Sequence, residues 1–267
     1  MITNKLTSFV LTVAMAFAIF SCTEKKELIQ DESTAKNIVV NVNGVSFSMI
    51  KVDGGSFRMG SDGILFEVVP NEAPSHTVVM SSYYIGETEV TAELWTAVMG
   101  NNPCSSESGS MRAPVESVSW DDCQTFIAAL NELTGRTFSL PTEAQWEFAA
   151  RGGIKSGDFL YSGSDKMLNV GWCMDNTTLP RPVKLKDANE LGIYDMSGNI
   201  AEWCSDWYGM YSGSYQEDPL GHHSGTTHVV RGGNWTSPVS DCRSTARKNF
   251  SPEYKSSTIG LRLVMKI

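Results

Sequence analysis

The stretch from Asp195 to Glu202 brings several possible oxygen ligands together within eight residues of the chain. Calcium binds six to eight oxygen atoms, and a tight loop can supply carboxylates at its ends and main-chain carbonyls between them. Asp195 and Glu202 provide the carboxylates, and Gly198 and Ile200 lie between them. This spacing predicts a calcium site; the alternative is that the two acidic side chains cap loop amides.

The cysteine and histidine patterns argue against the commonest metal and nucleophile sites. The five cysteines after Cys22 are odd in number, widely spaced and without a Cys-x-x-Cys pair, so at least one thiol stays free unless it pairs between chains. The four histidines show no His-x-x-x-His spacing, and no HExxH, Gly-x-Ser-x-Gly or phosphate-loop motif occurs. The sequence predicts neither a zinc centre nor a familiar hydrolase.

The first residues have the layout of an export signal. A lysine precedes a mostly apolar run from Leu6 to Phe20, and Cys22 follows as in a lipobox. The run is about 15 residues, shorter than the roughly 20 that a membrane-spanning helix needs. We therefore expect a lipoprotein signal peptide at 1–21, lipidation of Cys22 and a flexible charged tether over 22–37. Plain secretion, with cleavage near Ser21, is the alternative.

The balance of 30 acidic against 21 basic residues gives a net charge of −9. No basic cluster is present to neutralise phosphates, so nucleic acid is not an expected partner. A lipid anchor would be the only membrane contact, which places the protein at a bacterial cell envelope, on the outer membrane or cell surface, with the face left open. The rest of the chain carries no linker signal, and we expect one domain over 38–267.

The elements that must position these residues begin with a hairpin. The segment Ile38–Val52 alternates around Asn43-Gly44, a pair that favours the positive φ angles of a tight turn. Cap residues and apolar spacing then predict three short helices: Ala92–Met99, a helix capped by Ser119 that runs through Leu133, and one opened by Thr142 with Gln145 that ends at Gly152.

The longest of these helices should bury one face, because five apolar residues recur at helical spacing: Cys123, Phe126, Ile127, Leu130 and Leu133. After Gly153 the helical periodicity ends and turn residues recur every few positions, which predicts loops and short strands. The loops of this half need stabilising interactions other than regular backbone hydrogen bonds. Buried aromatic rings, seven tryptophans among them, and carboxylate pairs of four arginines are the expected ones: Arg231, Arg243, Arg247 and Arg262.

Four segments, in order, resemble the sulfatase-modifying factor or formylglycine-generating enzyme family. They are Phe57–Gly60, Ser139–Glu147, Gly192–Trp203 and Val229–Val264, and the resemblance covers about residues 48–267. It implies an α+β fold, the formylglycine-generating-enzyme-like variant of the C-type lectin architecture, with short strands, much irregular loop structure and about three short helices. Function does not follow from this fold, because the family includes enzymes, binders and structural proteins.

The resemblance also bears on calcium. Asp195, Gly198, Ile200 and Glu202 match one calcium site of the family, with the middle two contributing backbone oxygens, and calcium is expected in a structural role. A second family site is matched through a shortened loop by Asn169, Val170, Asp175 and Thr177. The alternative for this second set is that Asp175 belongs to a simple turn.

The catalytic segment departs from the family pattern. The family enzymes bind copper(I) through two cysteines. The first position corresponds here to Ser237, and Cys242 falls near the second or on a neighbouring structural position. A hydroxyl does not replace a thiolate for a soft ion. The family's active-site serine is Asn234 in this chain, and the tryptophan of its Asn-Ala-Trp-Glu-Trp motif is Ala201. These departures make copper, and formylglycine generation, unexpected; Cys242 is the one remaining catalytic candidate.

Two functions are therefore predicted in order. The first is a non-catalytic binding or assembly lipoprotein of the envelope, which recognises a protein or glycan ligand through the irregular surface over Trp235–Tyr254. The second is a metal-dependent oxidoreductase that converts a protein cysteine to formylglycine. It would pair Cys242 with a distant thiol, for which there are three candidates: Cys104, Cys173 and Cys204. Whether the protein is an enzyme at all stays open at this level.

Overall fold

The computed structural model describes residues 35–63, 69–106 and 108–267. Within these ranges the chain forms twelve strands and four α-helices. The strands are β1 Asn37–Val42, β2 Val45–Val52, β3 Gly55–Met59, β4 His76–Met80, β5 Tyr83–Gly86, β6 Phe138–Ser139, β7 Ala201–Trp207, β8 Gln216–Glu217, β9 His228–Arg231, β10 Arg247–Phe250, β11 Ile259–Gly260 and β12 Val264–Lys266. The helices are α1 Ala92–Met99, α2 Trp120–Thr134, α3 Glu143–Ala150 and α4 Met167–Val170.

The described strands form three small sheets. The first has the order β1-β2-β5-β12-β6, the second β10-β9-β7-β11 and the third β3-β4-β8. The predicted hairpin is confirmed: β1 and β2 pair from Asn37↔Ile50 to Val42↔Val45, with Asn43 and Gly44 both at positive φ. The C-terminal strand β12 lies between β5 and β6, so the first sheet joins the start of the domain to its end.

The three predicted helices are confirmed, with their caps. Thr91 caps α1, and capping boxes open α2 at Ser119 and α3 at Thr142. The prediction for one side chain is wrong: Leu133 is half exposed, at 50%. It is the next-to-last residue of α2, beyond Leu130, which is the last buried residue of the helix. Helical spacing alone does not show where the covering layer ends.

The second half of the chain is mostly irregular, as expected, with strands of two to seven residues. One feature was not predicted: the four-residue helix α4, which is too short to show periodicity. Two tryptophans are fully buried: Trp146 in α3, just before this half, and Trp203 in β7, within it. The indole of Trp203 donates to the Val118 carbonyl at 3.1 Å, so its ring both fills the core and fixes a loop.

Buried ion pairs connect α3 to the closing strands. The guanidinium of Arg231 in β9 is fully buried and donates to the Glu147 carboxylate, and that of Arg247 in β10 forms a two-pronged pair with Glu143. Arg231 also donates to three carbonyls of the loop between β9 and β10. The predicted carboxylate pairs are thus confirmed, including those of Arg243 with Glu72 and Arg262 with Glu202.

The signal peptide at 1–21, Cys22 and the tether as far as residue 34 lie outside the described residues. The last part of the predicted tether is ordered against the domain. Tyr84 donates its hydroxyl to the Ala35 carbonyl at 2.7 Å, and β1 begins at Asn37. Across the part of the chain that is described, none of the helices has the length and apolar character needed to span a bilayer.

Replacing Arg231 with Met tests the importance of the buried pairs. The change leaves Glu147 without one of its two cationic partners and removes the donor to three loop carbonyls, so we expect a loss of about 3–5 kcal/mol in the free energy of unfolding. The measurement is urea unfolding. Lys51→Met, which removes the cation of a partly exposed pair with Asp53, is the control and should cost less than about 1 kcal/mol. Equal losses for both variants would contradict the prediction.

Candidate functional site

The loop from Asp195 to Glu202 has an unusual backbone. Asp195, Gly198 and Asn199 all have positive φ. A side chain at Gly198 would collide with the Trp172 carbonyl, since a Cβ built there lies 2.1 Å from that oxygen. The amides of Gly198 and Asn199 donate to Gly232 at 2.8 Å and to Trp172 at 2.7 Å. The loop is therefore held from two sides. Its Asn199 carbonyl accepts the Trp235 amide at 2.8 Å, which leaves other carbonyls of the loop for other partners.

Asp195 is buried and only partly satisfied. Its Oδ2 accepts the Lys184 amide at 2.8 Å, while its Oδ1 has no hydrogen-bond partner among the described residues. Burial raises the pKa of Asp195 to about 6, and the nearby charge of Glu202 adds to the rise. A buried carboxylate oxygen without a partner is costly, so this atom needs a proton or a cation.

Glu89, just after β5, points to the same place and was not among the predicted residues. Its Oε1 accepts the Asn199 side-chain amide at 3.1 Å, and its Oε2 is buried with no partner in the described part of the chain. Burial, and next the charge of Asp195, raises the pKa of Glu89 well above its usual range. No local spacing could identify Glu89, because it is brought to the loop only by the first sheet.

Glu202 is buried as well, but its carboxylate is fully used. Arg262 donates to both of its oxygens, at 3.0 Å from Nε and 2.7 Å from Nη2, and the Trp146 indole donates to Oε2 at 2.7 Å. The side chain therefore already has a cationic partner. Of the four residues predicted for this site, Glu202 is the one whose side chain faces a guanidinium.

The remaining atoms fit a hard cation. Asp195 and Glu89 each offer a buried free oxygen, and none of the hydrogen bonds among the described residues uses the carbonyls of Gly198 or Ile200. The described chain contains no group of three His, Cys, Asp or Glu side chains arranged to hold a metal, so such a site would depend on these carbonyls. Carboxylates mixed with main-chain carbonyls are ligands that calcium accepts.

The second predicted set lies in a different environment. Asn169 and Val170 end α4, and the Asn169 carbonyl accepts the Asp187 amide at 3.0 Å. Asp175 is exposed in a turn closed by two amides that donate to the Cys173 carbonyl. The hydroxyl of Thr177 donates to the Leu179 carbonyl at 2.7 Å. These contacts are those of a turn, and the second calcium site stays a prediction.

The segment from Asn234 to Cys242, which corresponds to the family's copper positions, is packed as a structural turn. The Asn234 amide donates to the Ser237 hydroxyl at 3.1 Å, and the Ser237 amide donates back to the Asn234 carbonyl at 2.9 Å. Cys242 is fully buried behind Gly233. Burial, and next the neighbouring Cys173, raises the pKa of the Cys242 thiol to about 12. At neutral pH the sulfur is therefore a thiol, whereas copper binding and nucleophilic attack need the thiolate.

One of the three candidate partner thiols lies near Cys242. Cys173 belongs to the same buried cluster, together with Met167, Val170 and Tyr161. Cys204 lies in a different core cluster, and Cys104 packs beside the Pro114 carbonyl. The five described cysteines are all free, so Cys173 and Cys242 are neighbours without a disulfide.

The predicted recognition surface over Trp235–Tyr254 contains a cavity. Its walls mix polar side chains with one aromatic ring: Asn234, Thr236, Ser237, Asp241, Lys248 and Phe250. Lys248 pairs with Asp241 at 2.6 Å, and the Phe250 ring stacks on Tyr254 with centroids 4.4 Å apart. The tryptophan at one end is anchored, since the Trp235 indole donates to the Ser257 carbonyl. Ala201, Val230, Pro238, Ala246 and Ile259 also line it, so the cavity is mixed in character, with charged and aromatic side chains among its walls.

A second cavity lies at the end of β7, with Asp206 among its lining residues. Asp206 Oδ2 accepts the Glu143 amide at 2.9 Å and the Ser205 hydroxyl at 3.0 Å, but no cationic side chain pairs with it in the described chain. Burial, and next the charge of Glu143, raises the pKa of Asp206 to about 7. His222 lies at the cavity edge and is exposed, as expected for a histidine in a Gly/Ser loop.

Comparison with known proteins supplies the context for this geometry. Residues 40–267 match the Sulfatase-modifying factor enzyme 1-like domain. The chain is 31% identical over 272 residues to the protein named Chaperone protein LppX from Paenibacillus barcinonensis, covering 82% of this chain and 90% of that one. It is 28% identical to the Formylglycine-generating enzyme of Streptomyces coelicolor, covering 80% and 87%. The structure of Treponema denticola variable protein 1 superimposes with a TM-score of 0.80 at 31% identity, covering 88% and 100%.

The raised pKa of Asp206 predicts how stability depends on pH. Because its native pKa is about 7 and its reference value is 3.8, the folded state keeps a proton that the unfolded state has lost between these values. Stability should therefore fall as the pH rises from about 4 to about 7, by at most about 1.4 kcal/mol per pH unit from this group. In Asp206→Asn this part of the fall should disappear.

The measurement is urea unfolding across this pH range at one calcium concentration. Asp53→Asn, which removes a largely exposed carboxyl and changes the net charge equally, is the control. If both variants gave the same pH profile, the burial of Asp206 would not be the cause.

Proposed function

This chain belongs to the sulfatase-modifying factor enzyme 1-like family, and we propose that it uses the family fold as a binding or assembly scaffold rather than as an oxidase. The observation that carries the proposal is the environment of Ser237 and Cys242, at the family's copper positions. One of the two cysteine positions is Ser237, whose hydroxyl is engaged by the Asn234 amide. The other, Cys242, is buried with a pKa of about 12. Neither provides the pair of thiolates that a copper(I) ion requires.

Similarity to the chaperone LppX supports a protein-binding role. That protein matches over most of both chains, and its name describes assistance to other proteins. In this chain the surface over Trp235–Tyr254 is the proposed recognition face. It offers hydrogen-bonding side chains, a surface ion pair and stacked aromatic rings on a rigid frame. Such a mixture suits a protein or glycan ligand.

The proposed location is the bacterial cell envelope. The lipobox-like sequence that ends at Cys22 and the mostly apolar run before it support a lipid anchor, with 22–34 as the tether. An anchored domain of this kind would present its recognition face to other envelope components without inserting into the bilayer.

A formylglycine-generating oxidoreductase is the second candidate, and one observation favours it. Cys173 lies in the same buried cluster as Cys242, so a pair of thiols exists although it is not the family's pair. Copper(I) binding there would need both thiols to lose their protons, and burial raises the pKa of each. This cost is the reason for placing the oxidase second.

A copper(I) titration of the reduced protein separates the two functions. With a competing chelator present, the wild type should show no tight stoichiometric binding. Ser237→Cys restores the family's two cysteine positions and should gain at least about tenfold in copper affinity, because two soft ligands then face one ion. Ser240→Cys, on the exposed side of the same loop, is the matched control and should bind no more tightly than the wild type.

Tight binding by the wild type would overturn the scaffold proposal if Cys242→Ser or Cys173→Ser abolished it. Mass spectrometry of a cysteine-containing peptide incubated with the copper-treated protein then gives a direct test of catalysis. Conversion of the peptide cysteine to formylglycine by the wild type would establish the second candidate. No conversion together with no tight binding supports the first.

We further propose that calcium stabilises the domain at the Asp195–Glu202 loop. The free buried oxygens of Asp195 and Glu89 and the available carbonyls of Gly198 and Ile200 support it. A bound calcium ion would offset charge that the described chain leaves uncompensated there. Its role would be structural, because the loop joins β7 to the β9 end through the Gly198 amide and the Gly232 carbonyl.

Chelation should therefore lower the melting temperature. A ligand that binds only the native state adds about 2.7 kcal/mol to the free energy of unfolding when its free concentration is 100 times the dissociation constant. Differential scanning calorimetry in excess calcium and in EDTA gives the difference, and magnesium added after EDTA should restore less of it than calcium. An identical melting temperature in both conditions would show that calcium has no such role.

A further inference from the structure

We propose that the cavity at the end of β7 binds a primary alkylammonium group, such as the side chain of a lysine, on the free oxygen of Asp206. The cavity has a volume of about 220 Å³ and lies where the ends of β7 and β3 meet the start of α3. It shares no lining residue with the cavity on the face over Trp235–Tyr254. The inference goes beyond the proposed function, because it adds a second binding site and names the chemistry of its ligand.

The Asp206 carboxyl has one oxygen in use and one free. The side chain lines the cavity and is 4% exposed. Its Oδ2 accepts the Glu143 amide and the Ser205 hydroxyl, whereas no hydrogen bond from a described residue reaches its Oδ1. A buried carboxylate without a cationic partner is costly. The charged form of Asp206 therefore gains most from a ligand that brings a positive charge.

The other charges in the cavity wall are already paired. Glu143 accepts hydrogen bonds from Arg247 at both of its oxygens, at 2.5 and 2.7 Å. Arg247 also donates to the Asn71 carbonyl at 2.7 Å, so its guanidinium cannot turn toward Asp206 without losing these contacts. Within the described part of the cavity wall, Asp206 is thus the carboxyl that lacks a cationic partner.

Two glycines shape the space around this carboxyl. Gly221 has positive φ, and a Cβ built there lies 2.6 Å from the Asp206 Cβ and 2.7 Å from its Oδ1. A Cβ at Gly209 would lie 2.0 Å from Nε2 of His222, whose ring donates to the Met210 carbonyl at 3.3 Å. A larger residue at position 221 would therefore fill the space beside Oδ1, which glycine leaves open.

The geometry favours a primary ammonium over other cations. A guanidinium binds a carboxylate through both oxygens, and only one oxygen of Asp206 is free. A quaternary ammonium needs open aromatic faces, but Arg247 covers the Tyr211 ring at 3.9 Å and Trp207 stacks on His228 at 3.9 Å. The described residues contain no group of three side chains arranged to hold a metal ion. A primary ammonium is a compact charge and needs only one free carboxylate oxygen.

The rest of the cavity suits an alkyl chain that ends in such a group. Met59 and Met210 line it, the first buried and the second 55% exposed, and methionine adapts its shape to apolar ligands. Gln216 also lines it and carries an amide oxygen that can accept a second hydrogen bond. The ligand is then either the lysine side chain of a partner protein or a free alkyl amine.

The experiment is a titration of the whole protein at pH 8, followed by the NMR amide signals of Gly209 and Gly221. The two probes are n-butylamine hydrochloride and the blocked peptide acetyl-Gly-Lys-Gly-amide. Asp206→Asn keeps an acceptor for the Glu143 amide but carries no charge, so it should bind either probe at least about tenfold more weakly than the wild type. Asp53→Asn, which removes a largely exposed carboxyl, is the control and should bind as the wild type does.

A second measurement needs no change at Asp206. Because burial raises the pKa of Asp206 to about 7, the carboxyl is mostly charged at pH 8 and mostly protonated at pH 5.5, while the amine stays cationic. The wild-type affinity should therefore fall by at least about tenfold between these two pH values.

Histidines near the cavity also change charge in this range and need a control. The other ionisable groups around Asp206 are those of Glu143, Tyr211, His222, His223, His228 and Arg247. Burial lowers the pKa of His228, so the two exposed histidines are the ones to replace. The double variant His222→Gln with His223→Gln should keep most of the fall in affinity.

The outcomes identify the source of the ligand or reject the site. If the peptide binds at least as tightly as n-butylamine, the mouth of the cavity accepts a peptide backbone and the ligand is a partner's lysine. Binding of n-butylamine alone indicates a free amine. No shift of either glycine signal with either probe would overturn the inference, as would equal binding by Asp206→Asn with a wild-type near-UV circular dichroism spectrum. None of these results depends on copper binding, so the scaffold proposal is tested separately.

Discussion

Buried arginine–carboxylate pairs are the interaction on which this fold depends. The second half of the chain has few regular hydrogen-bond ladders, yet it must close against α3 and the first sheet. Arg231 and Arg247 reach from β9 and β10 to Glu147 and Glu143 of α3. Arginine suits this task because its planar group binds a carboxylate with two bonds and still has donors for loop carbonyls. Each pair therefore fixes a strand and a loop at once.

A buried arginine–carboxylate pair also determines which carboxylates of the Asp195–Glu202 loop have a cationic partner. Arg262 occupies Glu202, so the loop keeps only one of its own carboxylates for other use. Glu89, which lies just after β5, also reaches this loop, where its carboxylate accepts the Asn199 side-chain amide. An ion pair and two buried carboxylate oxygens without a hydrogen-bond partner among the described residues thus lie close together. The position of Arg262 decides which of these carboxylates has a cationic partner.

The segment that corresponds to the family's copper positions is held by its own hydrogen bonds. Ser237 and Asn234 form a self-contained turn, so the segment remains ordered without a metal. The neighbouring cavity keeps walls suited to contact with a ligand: Asp241, Lys248 and Phe250. Because the scaffold is held by ion pairs elsewhere, substitutions at this surface need not weaken it. This separation of support from surface favours a recognition role over an oxidase.

The sequence by itself determined the elements and the family. The Asn43-Gly44 turn, the caps at Ser119 and Thr142 and the four ordered segments depend on local chemistry, which a chain carries in neighbouring residues. It also excluded the family's cysteine pair, since Ser237 is visible without a structure. The exposure of Leu133 was missed because helical spacing does not show how far the neighbouring layer covers a helix. Helix α4 was missed because a single turn is too short to show periodicity.

Only the tertiary structure decided which groups meet. It brought Glu89 to Asp195, gave Glu202 to Arg262 and placed Cys173 beside Cys242. These residues are far apart in the chain, and nothing in local spacing encodes their contact. Burial also fixed their chemistry, since it raises the pKa of the Cys242 thiol and encloses two carboxylate oxygens that have no hydrogen-bond partner among the described residues. Desolvation is a property of the packed domain, so a site built from it cannot be identified from residue types alone.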